Sequence, residues 1–206
     1  MLGFKIKFLR RMHFLLAAIL AACFFSPQVL AHPGHGIVTL YEGILHPISG
    51  LDHFLVAVAV GIWAAVSSEG MNNSFIYAGP LGFLGGIFVG ALSGQLGVIF
   101  PFCEEGILIS LLLLGICIFT SIRSQLRTGC WVLLLFGAFH GNAHGIEVNH
   151  HMGGGFAILG FIVSTGFLHC VGIGVISLIR KRLAQANVNN LLRWVGAGLI
   201  GTVFLI

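Results

Sequence analysis

Six long apolar stretches, residues 43–66, 74–98, 106–122, 130–148, 154–179 and 191–206, follow one another with short breaks between them. A helix that crosses the hydrocarbon core of a bilayer needs about 20 predominantly apolar residues. Inside lipid the backbone must satisfy its own hydrogen bonds, so such stretches read as helices. The breaks carry turn chemistry: Ser67 to Asn73 with Gly70 and two asparagines, Pro101, residues 123–129, 149–153 and 180–190. Only 8% of the residues are charged, against about 25% in a soluble domain. The expected fold is therefore an all-α integral membrane protein with six transmembrane helices and almost no soluble part.

The N-terminus has a different character. Lys5, Lys7, Arg10 and Arg11 precede an apolar run, which ends in Ser26-Pro27-Gln28 and Val29-Leu30-Ala31. That order is a signal peptide, expected to be cleaved after Ala31. It divides the chain into a signal segment, 1–31, and a six-helix domain, 32–206. Leu20-Ala21-Ala22-Cys23 also resembles a lipobox with Cys23 as a lipidated N-terminus, and an uncleaved helix is a third possibility. All three place His32 outside the cytoplasm.

Basic residues fix the expected orientation, because cytoplasmic loops collect Lys and Arg. With His32 outside, the loops after the third and fifth helices face the cytoplasm. They hold Arg123, Arg127, Arg180, Lys181 and Arg182, and Arg193 begins the sixth helix from the same side. With the four in the signal segment these are all 10 Lys and Arg. The outward loops hold Glu42, Glu104, Glu105, His150 and His151 instead. Both mature ends are expected outside. The net charge of +4 is thus explained by topology, and nucleic acid is not expected as a partner. The bilayer is.

Seven ionisable residues sit within or beside the apolar stretches: His46, Asp52, His53, His140, His144, Glu147 and His169. A charge in hydrocarbon costs at least ~2.5 kcal/mol, so such residues mark function. Imidazole with carboxylate is a ligand set that borderline divalent metals accept. In 46-HPISGLDH-53 the two histidines stand at i and i+7, on nearly one face of a continuous helix, with Asp52 projecting away. Pro47 near the helix start allows the turn at His46 to deform. In 139-FHGNAHGIE-147, His140, His144 and Glu147 stand at i, i+4 and i+7 on one stripe. Gly141, Ala143 and Gly145 keep the neighbouring surface small, so another helix can approach. The two motifs overlap in depth and can face one cavity, with His169 further inward. His32 and His35 at the mature N-terminus are secondary candidates that could collect metal outside. The five cysteines form no metal-type spacing, and most of the 30 glycines read as helix packing. Three helices led by one motif followed by three led by the other also fit a 3+3 inverted repeat.

The two motifs, the signal segment, the HPGHG start at His32 and the six helices resemble the HupE/UreJ family over essentially the whole mature chain. The resemblance implies a bacterial cytoplasmic-membrane permease for nickel, with cobalt a near neighbour in ligand preference. It places ligand or gating roles on His46, Asp52, His53, His140, His144 and Glu147. The ion would then be the transported substrate, and no cofactor and no catalytic residue are expected. No nucleotide-binding motif is present, so no ATPase activity is expected of this chain. The competing reading is an intramembrane metalloenzyme. His140 and His144 form HxxxH, but HExxH is absent. Ligating imidazoles must be neutral, so uptake is expected to fall as pH drops through ~6.5. Uptake measured from pH 8 to 5.5 checks this, and a steady rise toward acid would contradict it.

Overall fold

The computed structural model describes residues 39–68, 74–148 and 154–206. The signal segment, His32, His35, His150 and His151 lie outside the described residues. Within them the fold is all-helical: α1 (Leu40–Ser49), α2 (Leu51–Ser67), α3 (Phe75–Gln95), α4 (Cys103–Thr120), α5 (Leu126–Val148), α6 (Gly154–Arg182) and α7 (Gln185–Thr202). Helices α3, α4 and α6 are each long and apolar enough to cross a membrane, and the bent pair α1 and α2 makes a fourth span if counted as one. Helix α5 carries His140 and His144, and α7 opens on a run of amides. Large apolar side chains, among them Phe88, Leu92, Trp131, Leu135, Phe156 and Phe167, are exposed. An apolar perimeter of this extent suits lipid and not water.

Two expectations about the helices are corrected. The stretch 43–66 is not one helix. It breaks at Gly50, and the two pieces meet at 81°. Thr39 and Glu42 start α1 with a reciprocal capping box: Glu42 N–H donates to Thr39 Oγ1 and Thr39 N–H to the Glu42 carboxylate. Pro47 has no N–H to continue the ladder. Gly50 N–H still donates to His46 O, but its backbone is extended, at φ −79° and ψ 116°. The second correction is the break expected over 180–190. Helix α6 runs on to Arg182 and α7 starts at Gln185, because Arg and Lys are good helix formers. Gln185 also donates to Asn189 one turn on.

Glycine sets how the helices pair. A Cβ at Gly86, Gly90 or Gly94 of α3 would strike the backbone at Leu134, Ala138 or Asn142 of α5. One at Gly137, Gly141 or Gly145 would strike Phe83, Ile87 or Ala91. The contact positions rise together, so α3 and α5 run parallel with backbones in touch, as small residues every fourth position allow. Likewise Gly43 meets Ala157, Gly61 meets His169 and Gly172 meets Val58, so the bent pair α1 and α2, taken together, advances along α6 in the same chain direction. Helix α4 meets α7 at Gly115 and Gly196, with Gly115 also near Ile200 and Gly196 near Phe119. That pair is antiparallel.

The two ends of the bundle differ. At one end Arg180 donates to Ala65 O, Trp63 Nε1 donates to Ile122 O, and Ser124 N–H donates to Ser67 Oγ. The described Lys and Arg gather here. At the other end Asn142 clamps the connection between α3 and α4. Its amide donates to Val98 O at 2.7 Å and to Ser93 Oγ at 3.0 Å, and its oxygen accepts from Phe100 N–H at 2.8 Å. Substitution Asn142→Ala strands these backbone groups, at about 1–3 kcal/mol for each one left buried and unpaired. A lower unfolding temperature of the purified protein in detergent is the expected result.

Candidate metal centre

The break at Gly50 is what assembles the site. Seven residues along a straight helix would separate His46 and His53 by about 10 Å. The bend folds His46 back, and the two ring centroids lie 5.3 Å apart. From α5, His144 reaches both: its ring is 4.4 Å from His46 and 4.7 Å from His53. One nitrogen from each of His46, His53 and His144 lies within 4.8 Å of the other two. Phe161 of α6 walls the group, with its ring 4.5 Å from His144 and 5.9 Å from His53.

Hydrogen bonds set which nitrogen each ring presents. Asp52 Oδ1 lies 2.7 Å from His53 Nδ1, and Glu147 Oε2 lies 2.9 Å from His144 Nδ1. A carboxylate only accepts, so both imidazoles donate from Nδ1, and the neutral ring then has its lone pair on Nε2. Those two Nε2 atoms face each other at 2.7 Å. His140 follows the same rule by another route. Its Nδ1 donates to Phe136 O at 2.9 Å, which leaves a lone pair on Nε2, and that atom is buried with no hydrogen-bond partner. The arrangement of carboxylate behind imidazole is the one that orients histidine toward a metal.

The six motif residues are therefore gathered at one place, in distinct positions. His46, His53 and His144 converge. His140 is one turn below His144, with its ring 5.3 Å from His53. Asp52 does not project away from the cluster but holds His53, and Glu147 holds His144. His169 is apart from the cluster, buried near the middle of α6 with both ring nitrogens unpartnered. Residues without a polar signature complete the surroundings: Phe161, and Phe83, whose ring packs against those of both His140 and His169. In an apolar stretch neither stood out from other phenylalanines. Asn142 lies within a motif, yet its contacts are to the α3–α4 connection.

A model of the HupE / UreJ protein family matches residues 18–205. The chain is 33% identical over 149 residues to Protein HupE of Rhizobium leguminosarum bv. viciae, covering 72% of this chain and 75% of the relative. No solved structure matches the chain. With a match across nearly its whole length and apolar helices throughout, this multi-pass membrane protein belongs to the HupE/UreJ family.

Proposed function

We propose that the chain is a secondary permease that carries nickel ions, with cobalt as the near alternative, across the cytoplasmic membrane into the cell. The observation that carries this is the approach of His53 Nε2 and His144 Nε2 to 2.7 Å, each with its proton held on the far nitrogen by a carboxylate. Two lone pairs at that distance repel unless a proton or a metal ion lies between them, so the pair is a place where a cation is held. Metal–nitrogen bonds of about 2.1 Å set at angles of roughly 90–110° separate two ligand atoms by about 3.0–3.4 Å, so an ion is accommodated by a small opening. His46 supplies a third nitrogen, and His140 Nε2 a fourth from one turn below. Membership of the HupE/UreJ family supports a metal permease in general.

The topology follows the charges: six crossings after a signal peptide cleaved at Ala31, with both mature ends outside. Here α1 with α2 forms the first crossing and α3 to α7 the rest. The site then lies toward the outside, opposite the basic end. At about −100 mV a divalent ion gains about 4.6 kcal/mol on moving inward, twice ~2.3 per charge. The pairing pattern supports a 3+3 inverted repeat. An in-plane twofold that exchanges the halves carries the parallel pair of first and fifth crossings onto that of fourth and second. It carries the antiparallel pair of third and sixth onto itself.

The test is uptake of radioactive Ni²⁺ into cells without nickel importers of their own, with excess Co²⁺, Zn²⁺ or Mg²⁺ as competitors. Uptake that requires this protein, resists Mg²⁺ and yields to Co²⁺ is the expected result. Protein present in the membrane without uptake would overturn the permease reading. Metal analysis of the purified protein would then show whether it holds a fixed ion, as an enzyme would.

A further inference from the structure

Below the three converging histidines the protein keeps a second set of unsatisfied nitrogens. His140 Nε2, both ring nitrogens of His169 and Thr165 Oγ1 are buried without hydrogen-bond partners. His140 and His169 are each 1% exposed and Thr165 is 2% exposed. Thr165 stands one turn before His169 on α6, on the same face. A polar group in an apolar interior is costly unless it is bonded. A histidine placed only to pack would have had a carbonyl to bond, as His140 Nδ1 does. Phe83, 1% exposed, packs against both histidines, with its ring centroid 5.3 Å from that of His140 and 5.4 Å from that of His169.

We propose that His169 with Thr165 forms an inner station for the same divalent ion, and that the Phe83 ring is the barrier an ion leaving His140 must displace to reach it. This rests on the permease reading above. The ion passes from nitrogen to nitrogen, and the ring closes the polar track between transfers. Hydrophobic constrictions and several weak sites in series are what conduction needs, since an ion must leave as readily as it arrives.

Radioactive Ni²⁺ uptake is measured against concentration for the wild type, His169→Ala, Phe83→Ala and Phe83→Leu, normalised to protein in the membrane. Loss of the inner station lowers the maximal rate on the order of tenfold, as loss of a ligand-orienting partner does. The half-saturating concentration, set at the outer site, stays the same. Loss of the ring raises the maximal rate per molecule several-fold at unchanged half-saturation. Phe83→Leu, which keeps an apolar but smaller side chain and so part of the barrier, reads a smaller rise in the same direction if Phe83→Ala does not accumulate. A structural role for Phe83 lowers abundance and leaves the rate per molecule unchanged. An unchanged rate in His169→Ala, or an unchanged or lowered rate in the Phe83 variant, overturns the proposal. Wild-type uptake that does not need His53 sinks the permease reading itself, whereas uptake that needs His53 but not His169 sinks only the inner station.

Discussion

His53→Ala and His144→Ala each abolish uptake, while Asp52→Asn and Glu147→Gln each lower it by about 10–100-fold, the usual cost of losing a partner behind a metal-ligating histidine. This ranking comes from the geometry. Read from sequence, the carboxylates and imidazoles are candidates of equal standing. In the structure His53 and His144 present nitrogens to each other, and Asp52 and Glu147 hold the rings from behind. Removing an imidazole removes a donor from the site. Replacing the carboxylate by its amide keeps an oxygen that can accept from Nδ1–H but loses the negative charge that raises ligand basicity. His46→Ala belongs with the stronger class, since His46 is the third converging ligand. Initial rates of Ni²⁺ uptake at equal protein abundance test the ranking. Equal and complete loss in all five variants would mean that the carboxylates ligate the ion directly.

The same geometry separates what a membrane histidine does by its second nitrogen. His140 gives its Nδ1 proton to the carbonyl of its own helix at Phe136, so its free Nε2 is aimed without any help from another helix. His53 and His144 need acidic neighbours. Asp52 and Glu147 are 29% and 48% exposed at the side chain, whereas the His53 and His144 side chains they hold are 10% and 7% exposed. Their positions place the carboxylates on the more exposed side of the cluster and the ring nitrogens inside it. That is the order in which a cation loses its hydration.

Much of this was readable from local spacing and little from anything longer. The i, i+4, i+7 placement of His140, His144 and Glu147 needs only the helical repeat, and the structure keeps it. The apolar stretches located α3 to α7 to within a few residues at most ends. The break at Gly50 was hidden, because the i, i+7 spacing of His46 and His53 fits a continuous helix and Pro47 in a first turn is compatible with a straight one. That break decides the site, since it alone brings His46 to His53. Asp52 was misplaced for the same reason. Phe83 and Phe161 could not be told from other phenylalanines, since their role depends on partners from distant helices. Glycine type pointed to packing, but which helix each glycine meets is a property of the assembled bundle.

The largest stability effects are expected at the interface of α3 and α5. Gly90→Leu and Gly141→Leu prevent accumulation of folded protein, whereas Gly85→Leu and Gly174→Leu are tolerated. All four are helix-interior glycines, so intrinsic propensity favours the larger residue at each by up to ~1 kcal/mol. What differs is space. A Cβ at Gly90 runs into the carbonyl of Ala138, and one at Gly141 into the carbonyl of Ile87. Backbone atoms of a packed helix cannot rotate away, so the two helices must separate. A Cβ at Gly85 or Gly174 meets nothing within 4 Å. Overpacking by even a small group costs about 1–3 kcal/mol, and a leucine adds three carbons more. Separation also shifts the neighbours of Gly141, which are His140 of the site and Asn142 of the clamp. Gly90→Ala and Gly141→Ala, milder versions, should therefore lower both the unfolding temperature in detergent and the uptake per molecule. Gly85→Ala should raise the unfolding temperature slightly and leave uptake alone. Equal behaviour of Gly85 and Gly90 variants would mean that α3 and α5 do not meet through these glycines.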